Sequence, residues 1–64
     1  MKEAVELWSE GKRLGAVTRF KDNMVGVLFK GNCYVTSTSQ PTVYWIAQSW
    51  YDSLIPDLEI KRVI

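Results

Sequence analysis

The chain has 64 residues and a mass of 7.4 kDa, which suffices for one domain spanning residues 1–64. Eight basic and seven acidic residues give a net charge of +1, which excludes a polybasic or strongly acidic tail. With no histidine and one cysteine, the composition excludes a histidine general base, a histidine–cysteine zinc site and an internal disulfide framework. We therefore expect a protein that is not an enzyme, with no catalytic residue, no metal and no cofactor.

Hydropathy and cysteine usage bear on the cellular compartment. No segment approaches the roughly 18 consecutive apolar residues of a membrane span, and the first four residues lack the pattern of a signal peptide. A single thiol suits a reducing compartment. We therefore expect a cytoplasmic protein without a membrane partner.

Turn-forming residues divide the first 37 residues into segments that are typical of strands. The turn signals are Ser9–Lys12, Asp22-Asn23 and Gly31-Asn32. The segments between them are rich in β-branched and aromatic residues. They predict a four-stranded antiparallel meander with strands at Ala4–Trp8, Arg13–Lys21, Met24–Lys30 and Cys33–Ser37.

The lengths of the predicted turns fix a register. A two-residue loop at Asp22-Asn23 places Val17 opposite Leu28. A second two-residue loop, at Gly31-Asn32, places Phe29 opposite Tyr34. A four-residue loop at Ser9–Lys12 places Leu7 opposite Leu14.

This register assigns each strand residue to one of two faces, because opposed residues share a face. The uncharged set, which we expect on the core side, is Val5, Leu7, Leu14, Ala16, Thr18, Phe20, Val25, Val27, Phe29, Tyr34 and Thr36. The expected outer set is Glu6, Trp8, Arg13, Gly15, Val17, Arg19, Lys21, Met24, Gly26, Leu28, Lys30, Cys33 and Val35. A single β-bulge would exchange part of these two sets.

A helix is predicted after the meander. Ser39 is a candidate N-cap, Pro41 suits the first turn, and Pro56 ends the helix. The apolar stripe of an amphipathic helix is formed by Val43, Ile46, Ala47, Trp50 and Leu54. A final strand is predicted at Leu58–Ile64. The chain is therefore expected to form an α+β domain of two layers, with the helix over the core face of the sheet.

Charge is distributed unevenly along the chain. Residues 12–30 hold five basic and one acidic residue, whereas residues 31–60 hold three acidic and no basic residues. The outer sheet face is then a candidate site for nucleic acid, since basic side chains grip phosphates and an indole stacks on a base. That alternative rests on Trp8 with Arg13, Arg19, Lys21 and Lys30. A solvated outer face or a protein partner would account for the same charges.

Trp45 points away from the predicted apolar stripe of the helix, and Tyr44 and Tyr51 border that stripe. Tryptophan is enriched at interface hot spots, so Trp45, Tyr44 and Tyr51, together with Trp8, are candidate partner-binding residues. The alternative for Trp45 is that a terminal segment folds over it. Trp50 belongs to the stripe and is expected to pack in the core.

The segment from residue 24 to residue 64 combines a hairpin, an aromatic-rich helix over residues 44–51, a proline-containing loop and a charged strand over residues 58–63. This layout resembles the small phage-encoded inhibitors of host machinery, notably the T7-type inhibitor of bacterial RNA polymerase. The resemblance implies a non-enzymatic protein that occupies a surface of a larger host protein. The extra N-terminal hairpin and the basic middle segment depart from that pattern, so no contact residue is transferred.

Three functions follow as hypotheses. The first is a small binding protein, encoded by a phage or mobile element, that docks on a larger host protein and blocks it sterically. The second is a nucleic-acid-binding module that uses the basic outer sheet face. The third is a homo-oligomer formed through edge strands or through Trp45.

Overall fold

The protein, seen in a computed structural model, is described for residues 3–40 and 42–63. The strands are β1 (Glu3–Ser9), β2 (Lys12–Lys21), β3 (Met24–Phe29), β4 (Asn32–Ser37) and β5 (Glu59–Arg62), and the helix is α1 (Val43–Tyr51). The strands form one antiparallel sheet in the order β4-β3-β2-β1-β5. The predicted α+β fold with a four-stranded meander is confirmed.

Two hairpin turns each use a glycine in the second central position. Glu10-Gly11 has φ angles of 52° and 78°, and Lys30-Gly31 has φ angles of 51° and 83°. Two consecutive positive φ angles are what a type I′ turn requires, and its twist matches that of the strands. Both predicted loops are therefore wrong. The loop predicted as Ser9–Lys12 is the two residues Glu10-Gly11, and the loop predicted at Gly31-Asn32 lies one residue earlier, at Lys30-Gly31.

Two β-bulges, one near each end of β2, change the register of this strand. Leu7 opposes Gly15 but Trp8 opposes Arg13, so Leu14 is the extra residue of the first bulge. Between Arg19 and Lys21 the register with β3 shifts again, at Phe20. An extra residue reverses the alternation of side chains between the faces.

Between the two bulges the alternation of β2 is consequently opposite to the prediction, whereas Leu14, at the first bulge, packs against the core as predicted. Val17 opposes Val27 rather than Leu28, and it is fully buried on the core face. Arg19 lies on this same face, whereas Phe20 is exposed. The β3–β4 register also differs, since Tyr34 opposes Val27 rather than Phe29, but a shift of two residues leaves the faces of β4 as predicted.

The core lies between the sheet and α1, which contacts β1, β2 and β5. Its buried apolar residues are Val5, Leu7, Val17, Val25, Val27, Val43, Ile46, Ala47, Tyr51 and Ile55. Trp50 packs against this cluster and is partly buried. Leu54, predicted in the stripe, is exposed because the helix ends at Tyr51 and a turn places Ile55 in the core instead.

The helix begins later than the sequence indicates. Thr42 is the N-cap, and its side-chain hydroxyl accepts a hydrogen bond from the backbone N–H of Trp45 at 3.0 Å. Ser39 is therefore not the cap, and Pro41 lies outside the described residues. The helix ends with Asp52 as its C-cap, ahead of Pro56.

We expect Thr42→Ala to lower the free energy of unfolding by about 1 kcal/mol, because the N–H of Trp45 loses its acceptor. Thr42→Ser keeps the hydroxyl and is expected to stay close to wild type. Chemical denaturation followed by far-ultraviolet circular dichroism measures both variants. Equal losses in the two would show that the threonine methyl group, and not the cap, stabilises the helix.

Strand β5 adds to the free edge of β1, with Leu7 opposite Ile60 and Glu6 opposite Lys61. It is shorter than the predicted strand, whose last residue, Ile64, lies outside the described residues. Within the described residues, the helix is too short to cross a membrane.

Candidate protein-docking surface

The solvent side of α1 carries two large aromatic residues. At 100° per residue, the buried stripe of Val43, Ile46, Ala47 and Tyr51 leaves the opposite side of the helix free. Trp45 lies on that side and is 45% exposed, and Tyr44, at the border of the buried stripe, is 44% exposed. We name this surface the aromatic helix face, formed by Tyr44, Trp45, Gln48, Ser49 and Asp52.

A shallow depression runs alongside the indole ring of Trp45. It is lined by Trp45, Gln48, Ser49, Asp52 and Ser53. The residues that line it together with Trp45 carry one amide, two hydroxyls and one carboxylate. Such a mixture suits a protein side chain with an apolar body and a polar tip, because the ring excludes water while the polar groups fix orientation.

Apart from Asp52, the chain segment that forms the aromatic helix face is uncharged. No Lys, Arg, Asp or Glu occurs between Gly31 and Tyr51, a stretch that includes β4 and the whole of α1. Depletion of charge together with enrichment in aromatic residues distinguishes the buried centre of protein interfaces from ordinary surface. Asp52 is the charged member of the aromatic helix face.

Tyr51, a candidate partner-binding residue, belongs to the core. Its ring centroid lies 4.7 Å from that of Phe29, and its hydroxyl oxygen is 3.4 Å from that of Tyr34. Burial, the hydrogen bond with Tyr34 and the nearby Tyr34 oxygen together raise the pKa of Tyr51 above its ordinary range. Tyr51 is buried, so we leave it out of the docking surface.

Trp8 lies on the outer sheet face, away from the helix. Its indole N–H donates a hydrogen bond to Glu6 at 3.1 Å, and the ammonium of Lys61 sits 3.9 Å from the ring centroid. A cation over an indole face is held by the ring quadrupole. Trp8 is therefore engaged by its own neighbours, and the sheet separates it from Trp45.

Arg19 is a structural residue rather than part of a basic surface. It is 8% exposed, and its guanidinium donates to Glu3 at 3.0 Å, to the carbonyl of Gln40 at 2.7 Å and to the carbonyl of Asp22. The bulge near Phe20 is what turns it to the core face. Arg19 thus ties β1, the β2–β3 turn and the segment before α1 together.

The other three predicted nucleic-acid-binding residues do not form one patch. Arg13 forms an ion pair with Glu6 at 3.0 Å, which neutralises it locally. Lys21 and Lys30 flank opposite ends of β3, a six-residue strand of about 20 Å. The ammonium of Lys30 lies 5.3 Å from the ring centroid of Phe29.

The outer sheet face carries an apolar region that was predicted in part. Leu28 and Cys33 were predicted on this face, whereas Ala16, Thr18 and Phe20 were predicted on the core face. Phe20 is 45% exposed there, and a shallow depression nearby is lined by residues that include Ala16, Thr18, Leu28 and Cys33. The predicted outer face was basic, because the bulges were not recognisable. Across residues 3–40 and 42–63, no cluster of three or more acidic or cysteine side chains is placed to hold a metal ion.

Comparison with known proteins found no match: no family model, no curated protein and no solved structure is similar to this chain. The resemblance to phage-encoded inhibitors therefore stays a prediction from the order of elements.

Proposed function

We propose that this is a small non-enzymatic binding protein that docks on a larger protein through the aromatic helix face and blocks that partner sterically. The observation that carries the proposal is the 45% exposure of Trp45 on a helix whose buried stripe lies on the other side. Tyr44 and the depression beside Trp45 extend this surface. The absence of histidine supports a binding role over catalysis.

The aromatic helix face suits binding energetically. Trp and Tyr bury a large area while losing few rotatable bonds, so ordering them costs little. The backbone beneath them is fixed beforehand, because Ile46 and Ala47 are fully buried and Thr42 caps the helix. A preorganised anchor retains more of its contact energy on binding than a flexible one does.

The proposed partner is a host protein, and the proposed origin is a phage or mobile element. The small size and the resemblance in the order of elements support both. A reducing, cytoplasmic setting is proposed because the chain has a single thiol, Cys33, and that thiol is exposed.

The test compares Trp45→Ala with Phe20→Ala, because both aromatic side chains are 45% exposed but they lie on opposite sides of the molecule. We expect the wild-type protein to capture a protein from a host lysate, and this capture to resist nuclease. The Phe20→Ala variant is expected to bind the captured protein as wild type does. Trp45→Ala is expected to weaken its binding by at least tenfold, as loss of a hot-spot tryptophan does. Titration calorimetry with the purified captured protein measures the two affinities.

Thermal unfolding of Trp45→Ala provides the control, and we expect it to stay cooperative. Loss of cooperativity would place Trp45 in the core and contradict the proposal. Unchanged affinity of a folded Trp45→Ala variant for the captured protein would also contradict the proposal. Capture that disappears with nuclease or at high salt would favour a nucleic-acid partner instead, since such binding weakens steeply with salt.

A further inference from the structure

Strand β4 is a free edge of the sheet with none of the features that protect edges from pairing. Five of its six residues are exposed, and its sequence, Asn32–Ser37, contains no charge and no proline. Its register with β3 is regular from end to end. The other edge strand, β5, has four residues of which three are charged, which is the usual protection against edge pairing.

The backbone groups that β4 offers to solvent follow from its pairing with β3. The N–H of Thr38 donates to the carbonyl of Asn23 at 2.8 Å, so this pair is a hydrogen-bonded one. Bonded and non-bonded pairs alternate along an antiparallel ladder, so Met24 and Ser37 form a non-bonded pair. The N–H and C=O groups of Cys33, Val35 and Ser37 therefore point away from β3, towards the open edge.

We propose that β4 pairs antiparallel with β4 of a second copy of this chain, about a two-fold axis at Val35. This register places Val35 opposite its own symmetry mate and Cys33 opposite Ser37 of the second copy. Every outward N–H and C=O of these residues then finds a partner. The two sheets become one continuous sheet, and the contact is isologous because each pair of residues occurs twice about the axis.

The side chains and charges of β4 fit this self-pairing. Val35 is 57% exposed and meets the same β-branched residue across the axis, while Tyr34 lies opposite Thr36 of the second copy. Both are favourable cross-strand pairs. The paired strands themselves, Asn32–Ser37 of each copy, contain no charged residue, so no like charges meet between them.

The area that this pairing buries is small for a stable dimer. A stable interface buries about 800 Å² per partner, about a fifth of the 4333 Å² surface of this chain. One six-residue edge covers less than that, so the dimer is reversible and depends on concentration. The aromatic helix face stays uncovered, and this inference is independent of the docking proposal.

Register-specific cross-linking tests the proposal. In the double variant Cys33→Ser, Val35→Cys, the two introduced thiols face each other with Cα atoms about 5.5 Å apart, within disulfide reach. We expect mild oxidation to give a covalent species of twice 7.4 kDa. In wild type, the two Cys33 residues lie about 13 Å apart along the strands, so oxidation is expected to leave a monomer on a denaturing gel. Equal cross-linking of both proteins, or of neither, would overturn the register.

A charge substitution tests the dimer without a covalent bond. Sedimentation equilibrium of wild type is expected to show the mass rising from 7.4 kDa towards twice that value as concentration increases. Val35→Lys sets two like charges opposite each other and is expected to remain at 7.4 kDa. Val63→Lys, at a similarly exposed valine (55%) beyond β5, should behave as wild type. A wild-type mass of 7.4 kDa at high micromolar concentration would refute the pairing.

Discussion

Gly15→Ala is expected to abolish cooperative folding. An ideal Cβ at this position would lie 2.0 Å from the carbonyl oxygen of Leu28, with the Leu28 carbonyl carbon and the Phe29 Cα also close, at 3.0 and 3.1 Å. These are backbone atoms of β3, so no side-chain rotation relieves the clash. The strands must separate, which we expect to cost more than about 3 kcal/mol, against a total stability on the order of 3–10 kcal/mol for 64 residues.

Gly26→Ala is the matched control, since Gly26 lies on the adjacent strand. A Cβ there would meet only Cε1 of Phe20, at 3.8 Å, an ordinary contact. We expect this variant to be as stable as wild type or up to about 1 kcal/mol more stable, because alanine restricts the unfolded chain. Thermal unfolding by circular dichroism measures both variants. Similar melting curves for the two alanine variants would show that the β3 backbone moves away from a Cβ at position 15 at little cost, and would contradict the prediction.

Arg19→Ala is expected to lower the free energy of unfolding by about 3 kcal/mol or more. The substitution leaves the carboxylate of Glu3 and the carbonyls of Asp22 and Gln40 without their donor. Each hydrogen bond to a charged group contributes about 1.5–3 kcal/mol, and hydration of Glu3, whose side chain is 29% exposed, offsets part of the loss of the three bonds. Arg19→Lys is expected to recover only part of this, since an ammonium lacks the planar fork that reaches several acceptors.

Arg13→Ala is the control for Arg19, as both arginines form an ion pair at 3.0 Å with a glutamate of β1. Arg13 is exposed, so water screens its pair with Glu6, and we expect a change of about 0–1 kcal/mol. Urea denaturation of the two variants gives the comparison. A loss for Arg13→Ala as large as that for Arg19→Ala would show that burial does not set the difference.

The order and type of the elements could be predicted from the sequence, because turn residues and periodicity are local signals. Which side chains of β2 face the core could not be predicted in this way. Leu14, Ala16 and Phe20 belong to the more apolar of its two alternating sets. Between the bulges, however, the set containing Arg19 faces the core, and Leu14, at the first bulge, packs against the core as predicted. That placement depends on acceptors from residues 3, 22 and 40, which the local pattern does not indicate.

The candidate site was predictable in part for the same reason. Helical periodicity placed Trp45 away from the buried stripe, and its exposure agrees with that orientation. The spacing of Tyr51 placed it only at the border of the buried stripe. Its burial depends on contacts with Phe29 and Tyr34 of the sheet, which local spacing does not indicate. The predicted basic patch on the outer sheet face is not formed, because the reversed alternation of β2 places Arg19 on the core face.

The pairing of β5 with β1 has a consequence for folding during synthesis. Hairpins β1–β2, β2–β3 and β3–β4 each close a short loop and can form soon after they leave the ribosome. The pairing of Leu7 with Ile60 joins residues far apart in the described chain, so it cannot form before Ile60 has been synthesised. Until then the nascent meander has two open edges, β1 and β4, and its aggregation risk is greatest during that interval.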